Sequence, residues 1–344
     1  MHSDYFLSDY KMDDRISELP DCILSYILTM LSVKDLLRTT VLSKRWCKLW
    51  ALRRDLFFDI FMLGSSEEEL LETGYVTDDP IPSMYRSIVN IDTSRDEFVK
   101  RVNQFVKNFP GTNIDSFLVN FSLDCEHGNT IDQWISFAIA RGVGKINLLF
   151  LGRPYAHRIP KSKHYTFDFG LFSTTNASAL KHLHLQCCLV RHSTKCDLII
   201  PFKSLRFLSL ESVKLDEMFF ESMLSNCRRL EELCLIFCEF KSSMPKIISS
   251  SLCHLKVTRC YFISNNIQVD LNLILVDCLK LTSLQYHGYD LDTLNINTPI
   301  LKCIHFIISK KDLNKCVALC ATFPELQILH VDTSLTVSHK VLEE

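Results

Sequence analysis

A six-residue pattern, L-x-x-L-x-L, constrains this chain more than any other feature. It stands at Leu180, Leu183 and Leu185, at Leu205, Leu208 and Leu210, and at Leu230, Leu233 and Leu235. Leu252, Leu255 and Val257 repeat it, and degenerate copies begin at Leu281, Leu301 and Leu326. Weaker copies lie upstream at Ile114, Phe117 and Val119, and at Val143, Ile146 and Leu148. From Leu180 onward the starts are 20 to 29 residues apart, room for one short strand and one return segment. A strand points alternate side chains to opposite faces. One such unit cannot bury its apolar face alone, so the units must stack into a solenoid with one parallel sheet and one continuous core. A closer self-match supports the stacking: residues 274–284 align with 294–304 at an offset of 20.

Between the hexads, three segments have helical spacing. Asp216 is placed to cap a helix with Phe220, Met223, Leu224 and Cys227 on one face. Trp134, Ile135 and Ala138 form a second stripe, and Leu313, Val317 and Cys320 a third. All three read as core. The one Gly-Lys site, Gly142-Val143-Gly144-Lys145, lacks phosphate-loop spacing and reads as a helix end running into a strand.

Composition narrows the function classes. Net charge is −2, against a nucleic-acid binder that must neutralise phosphates. No apolar run is long enough to span a bilayer, and the start carries no secretory h-region, so a cytoplasmic or nuclear protein is expected. The 15 cysteines include no C-x-x-C pair and read as buried thiols, so no metal site is expected. Only 9 glycines and no marked nucleophile speak against an enzyme, and no cofactor is expected.

Residues 14–54 hold three short helical patterns. Leu19-Pro20-Asp21 opens the first, followed by Ile23, Leu24, Ile27, Leu28 and Leu31. Ser32 to Asp35 resembles a capping box and starts the second, with Leu36 and Leu37 apolar. Ser43 starts the third, where Trp46, Leu49 and Trp50 share a face. About 40 residues bury their own apolar surface poorly, so another surface must cover part of this unit.

The run from Asp14 to Leu24, with Val41-Leu42-Ser43-Lys44-Arg45-Trp46 through Trp50, resembles a plant-type F-box. Leu224-Ser225-Asn226-Cys227 and Leu230-Glu231-Glu232-Leu233 resemble the plant F-box/leucine-rich-repeat group, a likeness extending over most of residues 90–331. The resemblance implies an α/β chain: a three-helix F-box, then a leucine-rich-repeat solenoid with a parallel sheet on its concave face. Expected boundaries are 12–54 for the F-box, 55–90 for a connecting strand and acidic loop, 91–334 for the solenoid and 335–344 for a tail. Within the connector, residues 57–61 read as a first strand docking the F-box onto the solenoid. Many family members carry a further C-terminal domain, and none is expected within these 344 residues.

The family also implies a Skp-type adaptor as partner and, through it, a cullin. Leu19, Pro20, Ile23, Leu24 and Ile27 correspond to a first adaptor-contact patch. Leu36, Leu37, Val41, Leu42, Arg45 and Trp46 correspond to a second, while Leu49 and Trp50 pack the helices together. The target, an unidentified protein, is expected on outward strand positions: His182, His184, Phe207, Glu211, Glu232, His254, Lys256, Gln285, His287 and His305. With His330, six of the 12 histidines fall on such positions, a surface able to change charge near neutral pH. The expected function is the substrate-recognition subunit of an SCF-type ubiquitin ligase. The alternative is a leucine-rich-repeat scaffold that assembles no ligase.

Overall fold

The structure is a computed structural model and describes residues 15–16, 18–31, 33–39, 49–59, 95–150, 160–172, 178–190, 202–241, 244–265, 267–271, 274–288, 291–308 and 312–333. Strands and helices are numbered along the chain. Ten strands form one sheet: β1 (Asp55–Phe58), β2 (Ser116–Asn120), β3 (Lys145–Leu149), β5 (His182–Gln186), β7 (Phe207–Glu211), β9 (Glu232–Ile236), β12 (His254–Thr258), β16 (Ser283–His287), β18 (Cys303–Ile308) and β19 (Ile328–Thr333), hydrogen-bonded in that order. Every neighbouring pair is parallel. The hexads set the register: Leu183, Leu208, Leu233, Leu255, Leu284 and Ile304 lie opposite one another across consecutive strands. All six are buried, so one apolar row runs the length of the sheet.

The three segments of helical spacing are helices, over Gly128–Ala140, Glu217–Asn226 and Leu313–Cys320, but helices are not the commonest return. Most return segments run through short strands: β4 (Tyr165–Phe167), β6 (Cys188–Val190), β8 (Lys214–Leu215), β10 (Glu239–Phe240), β13 (Tyr261–Ser264) and β14 (Ile267–Asp270) form a second sheet. A third joins β11 (Lys246–Ile248), β15 (Ile274–Asp277) and β17 (Leu294–Asn297). Its pairing of Ile274 with Leu294 is the offset of the sequence self-match. Helices α1 (Asp21–Thr29) and α2 (Val33–Thr39) precede the first sheet; α3 (Arg95–Asn108), α4 (Gly128–Ala140), α5 (Glu217–Asn226) and α6 (Leu313–Cys320) lie within the repeats.

Local sequence explains most of these elements. Asp216 caps α5, its Oδ1 accepting from the Phe219 N–H at 3.3 Å. Phe220, Met223, Leu224 and Cys227 are all buried beneath it. Ile131, Trp134, Ile135 and Ala138 line the inner face of α4, which ends as Gly142 takes φ +72° before β3 begins at Lys145. The stripe expected on α6 is corrected: Leu313 and Val317 are exposed, and Cys316 and Cys320 face the core. On an eight-residue helix the apolar side admits two faces, and only packing decides between them.

Each of four successive strands ends in a residue of positive φ: Cys187 after β5, Ser212 after β7, Phe237 after β9 and Arg259 after β12. Each N–H then bonds the last carbonyl of the next strand: Cys187 to Glu211, Ser212 to Ile236, Phe237 to Thr258 and Arg259 to His287, at 2.7–2.9 Å. The residues that follow, Cys188, Val213, Cys238 and Cys260, are buried, and the Cys238 thiol donates to the Leu210 carbonyl at 3.1 Å. Burial pushes the Cys188 and Cys238 thiols up, and Cys227 and Cys234 to about 12. Most described cysteines are core, but Cys22 and Cys125 are exposed.

Candidate functional site

Helix α1 has two faces of opposite character. Leu24 and Leu28 are fully buried. Ile23 is 46% exposed, Tyr26 64% and Met30 67%, with Pro20 exposed at the helix start and Ile16 just before it. Spacings of three and four residues align Ile23, Tyr26 and Met30 along one stripe. Of the expected adaptor contacts, Leu19 and Ile27 are half-buried beside this stripe. Leu24 and Leu36 are corrected: both are fully buried, so their side chains offer a partner no surface. Val41, Leu42, Arg45, Trp46 and the Leu37 side chain lie outside the described residues.

The junction between this unit and the sheet is short and bonded. A 3₁₀ turn, Trp50–Leu52, is followed by Arg53 and Arg54, and β1 starts at Asp55, two residues earlier than the expected first strand. Trp50 stands edge-on to Phe105 and Phe109 at 5.4 and 5.8 Å. It therefore packs onto the repeat body as well, while the turn that carries it contacts α1. Arg53 is 2% exposed. Its Nη1 donates to the carbonyls of Leu31 (2.7 Å) and Leu28 (3.4 Å), and its Nε to that of Asp55 (2.6 Å). Burial lowers its pKa, opposed by Asp55 and Asp59. Spacing and composition do not point to this residue, because arginine is rarely buried.

The outward positions of the large sheet form three rows. One runs Lys145, His182, Phe207, Glu232, His254, Ser283, Cys303 and Ile328. The middle row runs Asn147, His184, Ser209, Cys234, Lys256, Gln285, His305 and His330, and the third Gln186, Glu211, Ile236, Thr258, His287, Ile307 and Asp332. The ten expected target-contact residues fall on these rows, but exposure varies. His184 is 6% exposed and Ser209 3%, because central positions of strands about 4.8 Å apart are flanked on every side. His184 is therefore corrected to a largely enclosed residue, its Nε2 3.7 Å from the Glu211 carboxylate. His254 is exposed, while Phe207, Glu211, Glu232, Lys256, Gln285, His287 and His305 are half-buried.

The histidines do not form one titrating surface. The ring of His182 stacks on Phe207 at 4.0 Å, 2° from parallel. Burial pushes its pKa down to about 3, with Lys145 and His184 adding to the shift. His287 is lowered too, by burial and then by Arg259, whose Nε donates to His287 Nε2 at 3.1 Å. Both rings stay neutral at neutral pH. His305 Nε2 lies 2.8 Å from Asp332 Oδ2, and its ring stands edge-on to His330 at 6.0 Å. Glu211 and Glu232 sit at opposite ends of neighbouring strands, four positions out of register and roughly 13 Å apart. They make no carboxylate pair. Among the described residues no group of three or more His, Cys, Asp or Glu is placed to hold a metal.

Comparison with known proteins agrees with both halves of this geometry. The F-box domain family matches residues 16–58. The family described as the At1g61320/AtMIF1 LRR domain matches residues 105–342, more than half of the chain. The chain belongs to the F-box/leucine-rich-repeat family. Among its Arabidopsis thaliana relatives, F-box/LRR-repeat protein 25 is 28% identical over 72% of this chain and 78% of its own length. F-box protein At5g03100 is 29% identical over 71% and 63%, and F-box/FBD/LRR-repeat protein At2g04230 is 31% identical over 66% and 43%. The chain thus spans under two thirds of the length of several relatives it matches. In this F-box/leucine-rich-repeat chain, the α1 stripe belongs to the F-box and the three rows to the repeats.

Proposed function

We propose that this protein is the substrate-recognition subunit of an SCF-type cullin ubiquitin ligase. The F-box binds a Skp-type adaptor, and the outward rows of the repeat sheet bind a target protein. The observation that carries this reading is the α1 stripe: Ile23, Tyr26 and Met30 exposed together on a helix whose other face is core. An apolar stripe aligned along one exposed helix face of a small unit suits a partner surface. The protein itself performs no chemistry in this reading. It raises the effective concentration of target lysines near the charged ubiquitin carrier, which the other subunits supply. The cytoplasm or nucleus is its place of action, and no helix of the described residues is long and apolar enough to cross a membrane.

The test is co-purification with a Skp-type adaptor, comparing wild type with Leu19→Ala/Pro20→Ala and with Ile23→Asp. A stoichiometric complex lost in both variants supports the reading. A folded chain that ignores the adaptor sinks it and leaves a leucine-rich-repeat scaffold.

A further inference from the structure

We infer that Arg53 is a positioning residue: it locks the F-box at a fixed angle to the repeat sheet, so that a bound target is presented to the ligase in one orientation. The inference rests on the ligase reading for its consequence, not for its geometry. Only Arg53 and Arg54 separate the last 3₁₀ turn of the N-terminal unit from β1. The backbone of Arg53 is tied to the N-terminal unit, and Arg54 to the repeat side. The Arg53 N–H bonds the Trp50 carbonyl at 3.2 Å. The Arg54 carbonyl accepts from Asp115 N (2.7 Å) and Ser116 N (3.2 Å), where β2 begins, and its guanidinium pairs with Asp115 at 2.7 Å.

The N-terminal unit and the sheet share one apolar core, and the Arg53 side chain adds directional bonds across it. That side chain reaches back to Leu28 and Leu31, at the C-terminal end of α1, and forward to Asp55, on the edge strand of the large sheet. One planar fork therefore bridges the helix carrying the proposed adaptor stripe and the sheet carrying the proposed target rows. The helix C-terminus is the negative end of its dipole, which suits a cation. A guanidinium offers several fixed donors at once, so it fixes an angle where a single bond allows a swivel. Trp50 against Phe105 and Phe109 supplies adhesion on the far side of the connector. Edge-on ring contacts tolerate sliding, whereas three carbonyls converging on one fork do not.

The experiment measures the joint without adaptor, target or ubiquitin. Spin labels are placed by unnatural amino-acid incorporation at Arg38 on α2 and Met218 on α5, both exposed, and the distance distribution is recorded by pulsed electron resonance. Wild type should give one narrow distance. Arg53→Met keeps the side-chain length and removes every donor; it should broaden the distribution roughly twofold or more, since the freed connector regains backbone torsions. Arg53→Lys, with one ammonium for the fork, should fall between. A folded Arg53→Met protein as narrow as wild type overturns the inference. Should that variant fail to fold, Arg53→Lys decides alone: broader than wild type upholds it, equal to wild type overturns it. Loss of the ligase reading through the adaptor experiment would leave these distances unchanged, so the two failures are distinguishable.

Discussion

Ile23 and Leu24 are neighbours in sequence and opposites in role, one 46% exposed and the other fully buried. Spacing alone placed both on the apolar side of a helix; only the packing of α1 into the core, beside the Trp50–Leu52 turn, decides which edge of that side remains open. His182 poses the same problem electrostatically. An outward strand position suggests a ring able to titrate near neutrality, yet stacking on Phe207 buries it and its pKa falls to about 3. The folded state therefore excludes the charged form, while the unfolded chain takes up a proton below the ordinary value of 6.5. Stability from this group is complete above that value and is lost as pH falls from it toward the folded pKa. Urea midpoints of wild type should drop between pH about 7.5 and about 5.5, and His182→Gln should drop less over the same interval. Equal slopes in the two proteins would show that the ring titrates freely in the native state.

At the scale of elements, the strands were legible and the turns between them were not. Alternation of period two announces a half-buried strand, and each hexad marks one: Leu230, Leu233 and Leu235 are all fully buried. The return segments are read badly because strands of two or three residues, such as Lys214–Leu215, hold too little pattern to recognise. The left-handed turns are hidden for a different reason. Glycine or asparagine usually signals them, but here Cys187, Ser212, Phe237 and Arg259 adopt positive φ, held by the bond from each N–H to the next strand. Ser212 tests this directly, since it is small and its φ is 52°. Ser212→Gly relieves a penalty of about 1–2 kcal/mol in the folded state and adds about 0.5–1 kcal/mol of unfolded-state entropy. A net gain of roughly 0.5 kcal/mol is expected, while Ser212→Val, β-branched in the same region, should lose about 1 kcal/mol or more. Denaturant midpoints rank the three proteins; a Val variant as stable as wild type would mean that the turn relaxes.

At the scale of the whole molecule, the two ends of the large sheet are finished differently. At the first end, β1 is covered: Leu56 and Phe58 are fully buried, Phe58 meets Phe105 at 5.3 Å, and Arg53 occupies the Asp55 carbonyl. At the other end, Ile328 is 48% exposed and Leu329 40%, although Leu329 stands in the same row as Leu233 and Ile304. In a stacked array each unit is stabilised by its own fold and by its neighbours, so a strand with one neighbour among the described strands gains about one interface fewer. Local opening should then be graded along the sheet. Amide exchange followed by mass spectrometry should find β7, β9 and β12 protected longest and β19 shortest, with β1 close to the central strands because of its cover. The side chains should follow the amides. Leu233→Ala removes a fully enclosed side chain and should cost about 2–5 kcal/mol, whereas Leu329→Ala, in the same row, should cost about 1 kcal/mol or less. Equal protection of β9 and β19, together with equal costs for the two leucines, would mean that the sheet opens as one cooperative unit rather than from β19.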